Sequence, residues 1–174
     1  MSETLQIIVR HSENLTESES REIEEVDRLA FTGPPDDVDW SSPEWFVVGK
    51  LAGRVISIIG ILKRAIRVGE TSLEVGGVGG VATHPDYQRR GYGSALLQRA
   101  AVFMRADLNV DFGLLVCDQD MVPFYGKLDW KTVQDEMVFD FRGSKRTFQG
   151  ITMLLPLGGQ SWPRGTIDLC GTPW

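Results

Sequence analysis

The hexapeptide Gln88-Arg89-Arg90-Gly91-Tyr92-Gly93 lies between an apolar run ending Val81-Ala82-Thr83 and a helical stretch opening Ser94-Ala95-Leu96-Leu97. This order constrains the fold more than any other feature of the chain, because an extended segment must turn through glycines straight into a helix. Gly91 and Gly93 carry no Cβ to hold an anion away from the backbone. The first turn of the following helix presents N–H groups without intrahelical partners, at the positive end of its dipole. Arg89 and Arg90 add charged donors in the same turn. Together these residues read as a cradle for a pyrophosphate, against the plainer reading of a tight strand-to-helix turn with a solvated basic face. A Walker loop would need Gly-Lys-Ser/Thr and a dinucleotide-binding turn would need Gly-x-Gly-x-x-Gly; the stretch has neither order.

With 174 residues, 42% of them hydrophobic, the chain is long enough for one α/β domain with a real core and too short to suggest two, so residues 1–174 are read as a single domain. The 18 basic and 24 acidic residues leave a net charge of −6, which opposes nucleic-acid binding and favours cationic partners such as small-molecule amines. A merely soluble acidic surface explains the same balance. Cys117 sits inside an apolar run and Cys170 near the end, with neither metal-ligand spacing nor a disulfide framework. The expectation is a reducing cytoplasm and no metal. Met1-Ser2-Glu3-Thr4 lacks a basic segment followed by an apolar one, and no apolar run reaches transmembrane length, so the chain is expected to be soluble and unprocessed, with no membrane partner. The sequence leaves room for a homodimer.

Leu5–Arg10 reads as a first strand and Glu22–Ala30 as a helix, with apolar positions 23, 26, 29 and 30 on one face. Phe31–Pro43 is a loop, broken by Gly33-Pro34-Pro35 and carrying acids at 36, 37 and 39. Trp45–Leu51 and Val55–Leu62 flank Ala52-Gly53-Arg54 as a hairpin. A next strand ends near Val68, and Gly69-Glu70 turns into Ser72–Thr83 to complete a meander. From Ser94 to about Met104 the apolar spacing suits a helix packed on a sheet, and Phe112–Cys117 is a buried strand.

The stretch from Val81 to Leu97 resembles motif A of the GNAT superfamily of N-acetyltransferases, in which an apolar strand and a Pro-containing bend precede Q/R-x-x-G-x-G/A at a helix start. The resemblance implies an α+β (α/β) acyl-coenzyme A N-acyltransferase fold, a mixed twisted central sheet flanked by helices, whose central strands splay to admit a pantetheine arm. Its co-substrate would be acetyl-coenzyme A, held by Gln88, Arg89, Arg90, Gly91, Tyr92, Gly93 and Ser94 at the pyrophosphate and by Val81, Ala82 and Thr83 along the arm. Asp118–Trp130, with Phe124-Tyr125-Gly126-Lys127, resembles motif B. By that resemblance Tyr125 protonates the departing thiolate, against the alternative of an amphipathic core tyrosine. Two further stretches narrow the comparison. Ala30-Phe31-Thr32-Gly33, Asp39-Trp40 and a final Trp after a Cys look like the aminoglycoside 2′-N-acetyltransferases. Ile151–Gly158 and Trp162–Asp168 look like the rhizobial nodulation N-acyltransferases. Both modify amino sugars, which implies an acceptor region around Asp39 and Trp40. Longer acyl donors, or a non-catalytic acyl-coenzyme A binding module, are the alternatives.

Both relatives carry a glutamate on the strand before motif A that serves as base for the amine; here that stretch is Val75-Gly76-Gly77-Val78-Gly79-Gly80. Pro34 and Gln149 likewise stand where the aminoglycoside group tends to place acids. Glycines in a strand suggest a bulge, or close approach of a ligand or another backbone, unless the strand is simply loose. An amine with a pKa near ~10 is protonated at neutral pH and needs a proton acceptor before it can attack a thioester. The candidates are Glu74, Asp39 and the terminal carboxylate of Trp174, which by resemblance to the aminoglycoside enzymes approaches the acceptor site. Trp162, Pro163 and Trp174 are otherwise read as covering the sheet end.

Overall fold

The computed structural model describes residues 4–174; Met1-Ser2-Glu3, on which part of the unprocessed-start reading rests, lie outside the described residues. Strand β1 (Gln6–His11) leads to helix α1 (Glu17–Ala30). The helix starts five residues before the expected Glu22, because Thr16 closes a capping box. Its Oγ1 accepts the Glu19 N–H at 3.1 Å, and the Glu19 carboxylate accepts the Thr16 N–H at 3.0 Å. Glu19 is buried and also takes the Lys50 ammonium at 2.7 Å, which joins the helix start to the sheet.

Strands β2 (Trp45–Leu51) and β3 (Arg54–Val68) meet at Ala52-Gly53, whose positive φ values of 47° and 80° give the two-residue turn of a tight hairpin. The expected break after Leu62 does not occur. β3 is one 15-residue strand, and its continuity follows from neighbours along its whole length, with β4 (Thr71–Thr83) on one edge and both β2 and β10 (Ile167–Asp168) on the other. Helix α2 (Tyr92–Ala106) then connects to β5 (Phe112–Cys117), which lies parallel to β4 as a helical crossover allows. Helix α3 (Val122–Gly126) and strands β6 (Lys131–Val133), β7 (Met137–Phe141), β8 (Ser144–Thr147) and β9 (Ile151–Pro156) follow.

Among the described residues, ten strands form a mixed sheet in the order β6-β9-β5-β4-β3-β10-β7-β8, with β2 and β1 branching from β3. Alternation along β3 decides which layer each side chain joins. Ile59 and Ile61 pack with Leu96, Leu97, Ala100 and Met104 of α2. On the opposite face, Ile58 packs with Ile23 and Val26 of α1, whereas Leu62 and Ile66 join Phe112, Leu114 and Trp174. Removing each such side chain from water contributes about 1.5–3 kcal/mol. The second face is therefore covered half by α1 and half by the C-terminal segment.

Candidate functional site

A fork between β4 and β5 is the centre of the site. The two strands pair only at Gly76–Gly113 and Gly77–Leu114, and β4 then continues to Thr83 without β5. On its other edge β4 follows β3, but the register jumps from Gly60–Gly79 to Ile58–Ala82. Gly80 and Val81 are thus left in a bulge, and Gly80 takes the left-handed φ of 56° that suits glycine. Neither residue has a register partner on β3, and neither is paired with β5.

The anion loop stands at the open end of this fork. Gln88 donates from its amide to the Thr83 carbonyl at 3.0 Å, and Ser57 Oγ donates to the Ala82 carbonyl at 3.1 Å, so the strand end is fixed from both sides. Arg89 has φ 60° and Gly91, the residue before α2, has φ 82°. No side chain caps α2 and no acid occupies its first turn, which leaves the first N–H groups open to an external acceptor. A Cβ at Gly91 would meet nothing within 4 Å, and one at Gly93 would stand 3.7 Å from Thr83 Oγ1 and Phe124 Cζ. The space around both glycines is therefore open rather than filled, and the free first-turn N–H groups could hold an anionic group. Arg90 donates to the Asp86 carbonyl at 2.9 Å and lies over the Tyr87 ring, which holds its guanidinium beside the loop.

The closed end of the fork is filled by Trp174. Its indole N–H donates to the Leu114 carbonyl at 3.1 Å, where β4 and β5 last pair. A Cβ at Gly77 would overlap the indole, and one at Gly79 would lie 2.7 Å from the Trp174 carbonyl carbon. Of the alternatives for the glycine-rich strand, two are realised together: it contains the bulge, and another backbone approaches it closely. The approaching segment is tied down by residues the sequence did not single out. Arg64 Nη1 donates to the Thr172 carbonyl at 2.6 Å and Nη2 to Ser41 Oγ at 2.7 Å, while its guanidinium covers the Trp174 ring at 5.1 Å. Burial pulls the Arg64 pKa down, a cost that nearby Asp140 and Glu44 partly offset. Ser41 in turn donates its N–H to the Pro173 carbonyl at 2.7 Å. One signal for this clamp was available: Lys63-Arg64 ends the largely apolar run Val55–Leu62 within the strand.

Asp39 and Trp40 directly precede Ser41 and therefore flank the tail at its junction with the α1–β2 loop. Both are exposed, and the Trp40 indole N–H donates to the Asp36 carboxylate at 3.1 Å. Glu74 stands apart from this group. It pairs with Lys63 Nζ at 3.1 Å, is largely exposed, and lies in the N-terminal half of β4. It also shares the alternation of Gly76, whose Cβ would point at Met104 of α2, not that of Gly77 and Gly79, which face Trp174. Trp162 stacks edge-on against Phe112, in keeping with a sheet-covering role.

Tyr125 is buried on α3, just beyond the end of β5, in edge contact with Phe124 and Trp130. Burial pushes its phenol well above the ordinary value, with Cys117 adding to the shift. Burial also raises the Cys117 thiol, as do Asp118 and Asp120, an environment opposed to a thiolate nucleophile. Among the described residues no cluster suited to a metal ion occurs, and no helix is long and apolar enough to cross a membrane.

A family profile described as an acetyltransferase (GNAT) domain matches residues 11–133. Comparison with curated proteins gives no match. Among solved structures, the Escherichia coli GNAT family N-acetyltransferase YhbS, in complex with CoA, superposes with a TM-score of 0.69 at 12% identity, covering 98% of this chain and 93% of that one. Escherichia coli ElaA gives 0.65 at 15% identity, over 87% of this chain and 99% of its own. The ribosomal-protein-S18-alanine N-acetyltransferase from Escherichia coli gives 0.60 at 14% identity, over 90% and 97%. At such identities the likeness is one of fold.

Proposed function

The chain belongs to the GNAT acetyltransferase-domain family, and we propose that it transfers an acetyl group from acetyl-coenzyme A to a primary amine, with an amino sugar as the acceptor class. The observation that carries this reading is the fork itself: β4 and β5 part after Gly77–Leu114 beneath the uncapped N-terminus of α2. In this reading the first-turn amides of α2 with Arg89 and Arg90 hold the pyrophosphate. The bulge at Gly80 and Val81 supplies backbone donors to the thioester carbonyl, where negative charge develops as the amine attacks.

The amine, its extra proton already lost to solvent, forms the carbon–nitrogen bond of a tetrahedral intermediate whose collapse breaks the carbon–sulfur bond. One proton must therefore leave the nitrogen, and the negative charge left on sulfur must be stabilised until solvent protonates the thiolate. Trp174 is assigned the first. Its terminal carboxylate, next to the main chain of Gly79, takes the position along β4 where a glycine has no side chain, and accepts the amine proton directly or through water. Tyr125 is assigned the second. A thiol of pKa near ~8.5 is more acidic than a buried phenol, so the hydroxyl acts as a neutral hydrogen-bond donor to the developing thiolate rather than giving up its proton outright. Asp39 and Trp40 are assigned to the acceptor. Exposed acids at Asp36 and Asp39 beside the tail support a cationic amine.

The test is turnover with acetyl-coenzyme A across amino sugars, diamines and peptide amines, read by thiol release and by the acetyl mass increment on the product. At least one amine is expected to give both signals in equal amounts. Coenzyme A binding with no acetylated product from any amine class would leave a binding module instead.

A further inference from the structure

We infer that the Trp174 indole forms the floor of the donor cleft and restricts the acyl group to short chains. The inference rests on the acetyl-transfer reading above and adds a specificity determinant to it. A donor entering from the anion loop runs along β4 toward the point where β4 and β5 meet. Its thioester carbonyl lies at the bulge of Gly80 and Val81, so every further acyl carbon points on toward Gly77. That space is taken. The indole lies against Gly77 so closely that any Cβ there would overlap it.

The ring is also held. Its N–H is bonded to Leu114 at 3.1 Å, the Arg64 guanidinium covers it at 5.1 Å, and the residues before it are fastened to Ser41. Making room for a long chain would break the indole hydrogen bond and expose a buried aromatic surface, each of which opposes entry. Trp174 and Gly77 therefore act as a matched pair: the strand is glycine where the ring must fit, and the ring closes what the glycine opens.

The test is a binding series of coenzyme A, acetyl-, butyryl- and octanoyl-coenzyme A, measured by calorimetry on the wild-type chain and on Trp174→Ala, which keeps a terminal carboxylate. For the wild type, octanoyl-coenzyme A is expected to bind at least about tenfold more weakly than acetyl-coenzyme A, since its outer acyl carbons must either displace the held ring or stay unburied. In Trp174→Ala that gap is expected to close. Equal wild-type affinity for acetyl- and octanoyl-coenzyme A overturns the inference, and so does an unchanged gap in a folded Trp174→Ala. If that variant does not fold, the wild-type series decides alone. Absence of any coenzyme A binding defeats the acetyl-transfer reading and this inference with it, whereas normal coenzyme A binding without length discrimination defeats only the inference.

Discussion

Valine at both Gly91 and Gly93 is expected to lower affinity for acetyl-coenzyme A by about a hundredfold or more. Losing two charge-assisted contacts between backbone N–H groups and phosphate oxygens accounts for roughly 3 kcal/mol or more. The two substitutions act differently. At Gly91, with φ 82°, a β-branched side chain strains the residue that starts α2. At Gly93 the added Cβ meets Thr83 and Phe124 at 3.7 Å, an ordinary contact, so the fold tolerates it while the side chain crowds the anion. Gly93→Val alone therefore separates a folding effect from a binding effect. Circular dichroism should be unchanged for the single variant, and calorimetry should show the weakened binding. Wild-type affinity in a folded double variant would remove the loop from the site.

Replacing Tyr125 by Phe is expected to reduce kcat by roughly tenfold to a thousandfold with little change in affinity for coenzyme A, because the hydroxyl acts as charge builds on sulfur. The phenyl ring is kept, so the contacts with Phe124 and Trp130 survive. The direction of the pKa shift adds a second check. Burial raises the phenol, so the donor form persists across the neutral and moderately basic range, and no loss of kcat from Tyr125 ionisation is expected below about pH 10. A folded Tyr125→Phe variant with wild-type turnover would leave the residue a packing role.

Much of the loop ahead of α2 and of the strand before it can be read from residue order alone. Glycines at 91 and 93 ahead of a helical repeat mark a loop, although the helix already starts at Tyr92 and not at the expected Ser94, and four glycines in the strand before it point to an irregular ladder. The closed end of the fork resists such reading, since it depends on contacts between segments far apart in sequence. Nothing local to Gly77 announces that it faces Trp174, and Ser41 meets Thr172 and Pro173 only because the α1–β2 loop and the tail converge on the same face of the sheet. Glu74 lies close in sequence to the glycine stretch but shares the face of Gly76, not that of Gly77 and Gly79, because side-chain direction reverses at every residue. Arg142-Gly143, with φ 48° and 82°, is a two-residue hairpin turn between Met137–Phe141 and Ser144–Thr147.

The most direct measurement of the central claim, that the fork is an acyl-donor site, is hydrogen–deuterium exchange with and without saturating coenzyme A. The predicted result is added protection confined to peptides spanning residues 78–83 and 89–95, where bulge and helix-start N–H groups acquire acceptors, with no change in the β7–β8 hairpin. Saturable binding that leaves both segments unprotected would contradict the account, because the donor would then lie somewhere other than between β4 and β5.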